Sequence, residues 1–229
     1  MSEVVLIVGA GEGLSASIAR RFAREGSRIV LAARTPAKLG DIVAAVHAQV
    51  VRCDATVRED VEALFAECDA GPGAPDVVVY NPSGRLRGPI ADLDPAAVKQ
   101  ALEVSAYGGF LVAQAAAKRM LRKGRGAILF TGASASVKGF AQSAAFAMGK
   151  FALRGLAQSM ARELHPQNIH VAHFVIDGGI RSASRPVSAE NPDSLLDPDA
   201  IADTYFHVAR QARSAWTWEI ELRPWVEKF

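Results

Sequence analysis

Three glycines, an arginine and a lysine stand out in this chain as groups able to hold a ligand or act on it. Gly9, Gly11 and Gly13 lie in the stretch V-V-L-I-V-G-A-G-E-G-L-S-A-S-I-A-R, residues 4–20. A backbone without Cβ atoms bends sharply and lets a ligand approach closely. The apolar run 4–8 before it reads as a strand buried on both faces, and Leu14, Ile18, Ala19 and Phe22 after it recur at helical spacing. A helix that begins at such a turn presents unpaired N–H groups and the positive end of its dipole, which together stabilise a pyrophosphate. Between a strand and a helix the motif therefore reads as a dinucleotide site, against the blander reading of a glycine-rich turn with no ligand. Arg34 ends the second strand, where an acid would hydrogen-bond a free ribose 2′-hydroxyl and an arginine accommodates a 2′-phosphate. NADP(H) is favoured over NAD(H) on that ground, while Glu12, in the turn itself, would repel the same phosphate. Lys150 stands among Phe146, Ala147, Met148, Phe151 and Ala152, so its helix face is not an obviously polar one.

Those residues need an alternating frame to hold them, and the chain supplies one. Strands are expected at 28–33, 49–53, 76–80, 127–131, 169–176 and 216–222, after the first at 4–8. Between them helices are expected from Pro36 to about 48, from about 56, from 94 to about 121, from 143 to 164, and from Asp197-Pro198 onward. Thr56 with Glu59 reads as a capping box, and Asp94 followed by Pro95 as an N-cap with a first-turn proline. Strict alternation of this kind gives a parallel sheet with helices on both faces, an α/β class. Ser105, Ala106, Gly108, Gly109, Ala113, Ala115, Ala116 and Ala117 give the long helix a small-residue face, suited to close packing either inside the subunit or against another one. Segment 181–197 is too long for an ordinary connection and is either a lid over a site or a mobile surface loop. It offers Arg181, Ser182, Ser184 and Arg185 as polar candidates.

Composition narrows the function classes. At 229 residues, half of them hydrophobic, the chain fits one domain with a large core. Lys and Arg number 26 against 24 Asp and Glu, so neither nucleic acid nor an anionic membrane is expected as a partner. The cations Lys118, Arg119, Arg122, Lys123 and Arg125 fall at a helix end before Gly124 and Gly126, a solvated terminus. Cys53 and Cys68 have no C-x-x-C spacing, which points to a reducing compartment. His170 and His173 lie on opposite faces of a strand, so no shared metal is expected. No apolar run reaches the ~20 residues of a membrane span, and a cytoplasmic location follows.

With the glycine turn, Asn81, Ser134, Lys150 and Asp177-Gly178-Gly179 in register with the strand ends, the chain resembles the short-chain dehydrogenase/reductase family over essentially its whole length. The resemblance implies a single Rossmann-like doubly wound domain, residues 1–229, with a seven-stranded parallel sheet in the order 3-2-1-4-5-6-7. It implies cofactor contacts from Gly9, Gly11, Glu12, Gly13 and Leu14 at the pyrophosphate, and from Arg34 at the adenosine ribose. Asp54, a strand-end turn carboxylate on its own reading, becomes with Ala55 an adenine contact. Asn81, Pro82 and Ser83 follow the fourth strand, Asp177, Gly178, Gly179 and Ile180 the sixth, and Lys150 reaches the nicotinamide ribose. The candidate catalytic set is Ser134, Lys150 and Ser105. A homodimer or homotetramer is implied, with a small-molecule substrate.

The resemblance breaks at the catalytic centre. Phe146-Ala-Met-Gly-Lys150 occupies the place of the family's Tyr-x-x-x-Lys, in which the ammonium lowers the phenol pKa and the phenol delivers a proton. Phenylalanine has none to give, and loss of a positioned general acid costs on the order of 10²–10⁴ in rate. Ser105 replaces the supporting Asn, Ser15 the last glycine of the turn, and Tyr80-Asn81-Pro82-Ser83 varies on Asn-Asn-Ala-Gly. Counting back the usual spacing from Phe146 lands on Ala133, and a one-residue shift recovers Ser134. Two functions are compatible with this pattern. One is an atypical NAD(P)(H)-dependent oxidoreductase acting on a small organic carbonyl, alcohol or conjugated enone. The other is a non-catalytic NADP(H)-binding sensor, or the silent partner of an active homologue.

Overall fold

Alternation along β1, Val4–Val8, sets the layering of the molecule. Val4, Leu6 and Val8 enter one core, Val5 and Ile7 the other, and none of the five is more than 2% exposed. The computed structural model describes residues 2–227. In it β1 pairs in parallel with β2, Arg28–Ala33, on one side and with β4, Val77–Tyr80, on the other. With β3, Gln49–Arg52, β5, Gly126–Thr131, β6, Ile169–Ile176, and β7, Glu219–Leu222, the sheet has seven parallel strands in the order 3-2-1-4-5-6-7.

One face is covered by α3, Arg58–Ala70, α5, Gly108–Lys123, and α6, Ala144–Leu164, through residues such as Phe65, Val112 and Leu153. The other is covered by α1, Leu14–Arg24, α2, Gly40–Val46, and α7, Pro198–Ala209, through Ile18, Ile42 and Tyr205. The order reverses between β1 and β4, and the crevice at that switch point is where doubly wound sheets bind ligands. No helix of the described residues is long and apolar enough to cross a membrane.

The structure corrects several local expectations. The helix expected at 94–121 is α4, Pro95–Leu102, then a π-helical turn, Glu103–Tyr107, then α5. Asp94 caps it as expected, accepting from the Ala96 and Ala97 N–H groups. The Tyr80 hydroxyl donates to the Val104 carbonyl at 2.5 Å, which satisfies an acceptor of the widened turn. Gly108 permits this approach, since a Cβ there would lie 2.6 Å from the Tyr80 hydroxyl and 2.8 Å from the Ala55 carbonyl. The small residues Gly108, Gly109, Ala113 and Ala116 are thus buried within the subunit.

The Thr56–Glu59 capping box is not formed. Val57 is the N-cap of α3, and the Asp54 carboxylate instead accepts from the Thr56 N–H and hydroxyl. The helix expected from Pro36 is a 3₁₀ turn, Pro36–Leu39, followed by α2. The third strand stops at Arg52, and Asp76 precedes the fourth, its carboxylate accepting from the Val4 N–H and Lys123. The last strand is shorter than expected because Trp216 turns back, its Nε1 donating to the Gln211 carbonyl and its ring stacking on His170. In the basic cluster, Arg119 pairs with Asp69 and Lys123 with Asp76, each at 2.6 Å, so these two cations are tied down rather than merely solvated.

Gly9 links the fold to the crevice. It has φ +76°, and a Cβ would lie 2.7 Å from the Pro82 ring and nitrogen. Gly9→Ala combines a disfavoured backbone with a clash and should cost about 2–4 kcal/mol of stability. Urea unfolding checks this, and a loss below about 0.5 kcal/mol would show that the turn relaxes freely.

Candidate functional site

A cavity of about 550 Å³ opens beyond the carboxyl ends of the strands around the switch point. Gly9, Gly11, Glu12, Arg34, Asp54 and Asn81 are among the residues on its wall. Its chemistry fits a dinucleotide. A Cβ on Gly11 or Gly13 would project into open space, and Gly13, at φ +83°, begins α1 with no side-chain cap and no acid in the first turn. The first-turn N–H groups are therefore available to an anion.

Ser15, a departure from the family pattern, has a clear structural part here. Its hydroxyl donates to the Gly9 carbonyl at 3.2 Å and accepts from Asn81 Nδ2 at 2.7 Å, tying the turn to the end of β4. Spacing alone did not flag it, because a small polar residue in the first turn of a helix is ordinary.

At the far end of this cavity Arg34 and Lys38 are exposed, and among the described residues no carboxylate lies within ion-pair distance of either. Glu12 lines the same cavity. Burial pushes the Asp54 carboxyl up, but the two Thr56 hydrogen bonds and the Arg34 and Arg52 charges outweigh it and hold it below the usual range. Ala55, Pro82 and Ser83 also line this space.

A second, contiguous cavity of about 240 Å³ is bounded by Gly13, Leu14, Asn81, Ala133, Phe146 and Lys150, with Gly178 and Ile180 on its far wall. Lys150 is 2% exposed and donates to the Thr131 carbonyl at 2.8 Å and the Pro82 carbonyl at 3.4 Å. Burial, reinforced by the charge of Arg85, pushes its pKa down to about 7. Phe146 packs with Ala133 and Ala135, so methyl groups face it where a hydroxyl would be needed. Ser134 lines a third, outer cavity instead. Ser105 is fully buried, and its Oγ accepts from the Gly84 N–H at 2.9 Å, holding the loop after β4.

Asp177 lines the outer cavity together with its two glycines. Its carboxylate is buried and paired with Lys138 at 3.1 Å and Arg223 at 2.9 Å, while Gly178 lines the two inner and outer cavities and Gly179 the outer one. Segment 181–197 is anchored at both ends. The Arg181 N–H donates to the Leu196 carbonyl, the Leu196 N–H to the Gly179 carbonyl, and the Arg181 side chain pairs with Asp197 at 2.9 Å. Arg85 is a residue that sequence spacing did not single out. It follows the Asn81-Pro82-Ser83-Gly84 turn, and its guanidinium lies over the Phe146 ring, 5.4 Å from the centroid.

Comparison with known proteins agrees with this geometry. Residues 3–191 match the family model for short chain dehydrogenases. An uncharacterised oxidoreductase of Staphylococcus aureus is 27% identical over 231 residues, covering 97% of both chains. An uncharacterised oxidoreductase of Escherichia coli is 26% identical over 88% of this chain and 84% of its own length. A short-chain dehydrogenase from Rhodopseudomonas palustris superposes with a TM-score of 0.85 at 36% identity, covering 97% of this chain and 99% of that one. A metagenomic short-chain oxidoreductase solved in complex with NADP gives 0.84 at 27% identity over 98% of each chain. Sheet order, glycine turn and whole-length similarity converge, and the chain belongs to the short-chain dehydrogenase/reductase family.

Proposed function

We propose that this protein is an NADP(H)-dependent oxidoreductase of a small organic carbonyl, alcohol or conjugated enone, in which the proton step bypasses position 146. The observation that carries the reading is one continuous cleft, running from Arg34 past the open glycine turn to the buried Lys150 beside Phe146. NADPH, when bound, would supply a hydride. Gly11, Gly13 and the α1 N-terminus would take its pyrophosphate, and Arg34 with Lys38 its 2′-phosphate. Asp54 would meet the adenine, and Asn81 and Lys150 the nicotinamide end. The NADP complex of the metagenomic relative supports this choice of nucleotide. Lys150, with a pKa of about 7, is the group in the inner cavity able to hold or release a proton near neutrality. A conjugated C=C suits such a site, since hydride addition gives a stabilised enolate.

Phe146 also supports a second reading, a cofactor sensor or the silent partner of an active homologue, because it has no proton to give and packs with the methyl groups of Ala133 and Ala135. Segment 181–197 would act as a substrate lid in the enzymatic reading, closing over the inner cavity that Arg181 and Ser182 line. For assembly we favour a homodimer or homotetramer. The small residues pack inward, and the outer surface of the same helices carries Tyr107, Phe110, Met148 and Phe151, each more than 40% exposed. Self-complementary burial of such a patch gives a twofold dimer or a pair of them. Light scattering at micromolar concentration should show an even-numbered oligomer, and a monomer would remove the argument.

Calorimetry should find NADPH bound at least about tenfold more tightly than NADH, with Arg34→Ala abolishing most of that difference. An NADH preference would mean that Glu12 outweighs Arg34.

At the inner cavity, Phe146→Tyr places a phenol beside Lys150 with little change in volume. Carbonyl reduction should appear or rise in that variant, while wild type should turn over at least one enone or carbonyl. A wild type that binds NADPH without any turnover, with Phe146→Tyr inert, favours the sensor reading. Stability reports on Lys150 independently. Its folded pKa of about 7 lies below the ordinary value of 10.5, so between those pH values the unfolded chain keeps a proton that the folded chain lacks. Stability therefore rises with pH across that window, and Lys150→Met should remove the rise.

A further inference from the structure

The outer cavity, about 470 Å³, shares Arg85, Ala133, Phe146, Ile176 and Gly178 with the inner one, so the two form one space on the side of Lys150 away from the Arg34 end. Its walls are strongly cationic. Arg87 and Arg185 join Arg85 there, from the loop after β4 and from segment 181–197. Lys138 is also present but is paired with Asp177, which Arg223 neutralises further. Among the described residues Arg85, Arg87 and Arg185 have no carboxylate within ion-pair distance, and Glu227 is the other acid on the wall. Burial lowers the pKa of Arg85, and the charges of Arg185 and Arg87 lower it further.

Three guanidinium groups lining one cavity repel one another, and an anion bound between them would relieve that repulsion. Arg21, Arg119, Arg154 and Arg210 each hold a carboxylate at 2.7 Å or less, whereas Arg85, Arg87 and Arg185 line one cavity without such a partner among the described residues. The planar guanidinium fork is suited to carboxylate and phosphate oxygens, which it can bind through two parallel hydrogen bonds. Arg85 also reaches the inner cavity, where its charge stands over Phe146. A substrate anchored by Arg87 and Arg185 would thus present its reacting carbon beside Arg85 and Lys150.

We propose that the substrate is a small organic anion, bearing a carboxylate or phosphate group that Arg87 and Arg185 bind, with Arg85 between that group and the reacting centre. This inference rests on the enzymatic reading above and specifies its substrate class.

The test begins with NADPH and NADH titration. Calorimetry then follows binding of a panel of four- to six-carbon oxo acids and enoic acids, their methyl esters, and small phosphate monoesters. The preferred nucleotide is kept saturating so that the Arg34 end is filled. At least one acid or phosphate ester should bind about tenfold more tightly than its uncharged counterpart. Arg87→Gln and Arg185→Gln should each weaken it about tenfold, with nucleotide affinity within about twofold of wild type. Arg122→Gln, which removes an exposed arginine on α5, controls for net charge and should change neither. Carboxylates ahead of phosphate esters, or the reverse, assigns the group. Esters binding as well as acids, no panel member binding, or unaffected glutamine variants would each overturn the inference. Failure of both nucleotides to bind would sink the proposed function instead. The panel is then run without nucleotide, and the same charge preference decides the outer cavity.

Discussion

Every residue of β1 is sealed between two helical layers, and its neighbours β2 and β4 run parallel to it, so this part of the sheet is open only at its strand ends, and the crevice of the switch point lies at the carboxyl ones. That constraint places the chemistry. The chain leaves β1 at Gly9 and β4 at Asn81 on the same edge, and the two are joined by Ser15. β5 delivers Thr131 there, whose carbonyl receives the Lys150 ammonium from α6. Packing of the sheet core and positioning of the cleft are consequences of one arrangement.

Much of this was legible from residue types. Short β-branched runs separated by amphipathic helices specify parallel strands with little ambiguity, and the glycines mark where the first one ends. The strand-edge residues Arg34, Asp54 and Asn81 follow from that frame and are found on the cleft wall. What the sequence did not reveal depends on contacts between distant positions. Tyr80 reads simply as the last apolar residue of a strand, yet its hydroxyl meets Val104 and accompanies the π turn. Thr56 has the spacing of a capping residue, but Asp54, held close by β3, captures its N–H and hydroxyl. Arg85 and Arg87 lie in a loop with no periodicity, and only the fold brings them opposite Arg185.

The inner cavity shows how one departure from the family pattern alters the meaning of its neighbours. Lys150 beside a tyrosine would share a hydrogen-bonded proton system. Beside Phe146 it is instead an amine held by two backbone carbonyls, and burial lowers its pKa toward neutrality. Ser105, in turn, is committed to the Gly84 N–H and supports the loop that carries Arg85. Without the phenol, the charged side chains on the inner cavity are Lys150, Arg85, Arg181 and Glu12.

The double pairing of Asp177 has a consequence for how the molecule is assembled. Arg223 reaches back to Asp177, Pro224 abuts Gly178, and Trp225 Nε1 donates to Asp193 in segment 181–197. These residues carry no chemistry of their own, yet they follow β7 and brace the wall of the outer cavity. These contacts need the residues that follow β7, so they can form only after that strand has been made. The nucleotide end of the cleft, built by the first four strands, can take shape earlier. On a ribosome emitting the chain from its amino end, the half that carries the glycine turn would precede the half that completes the outer cavity.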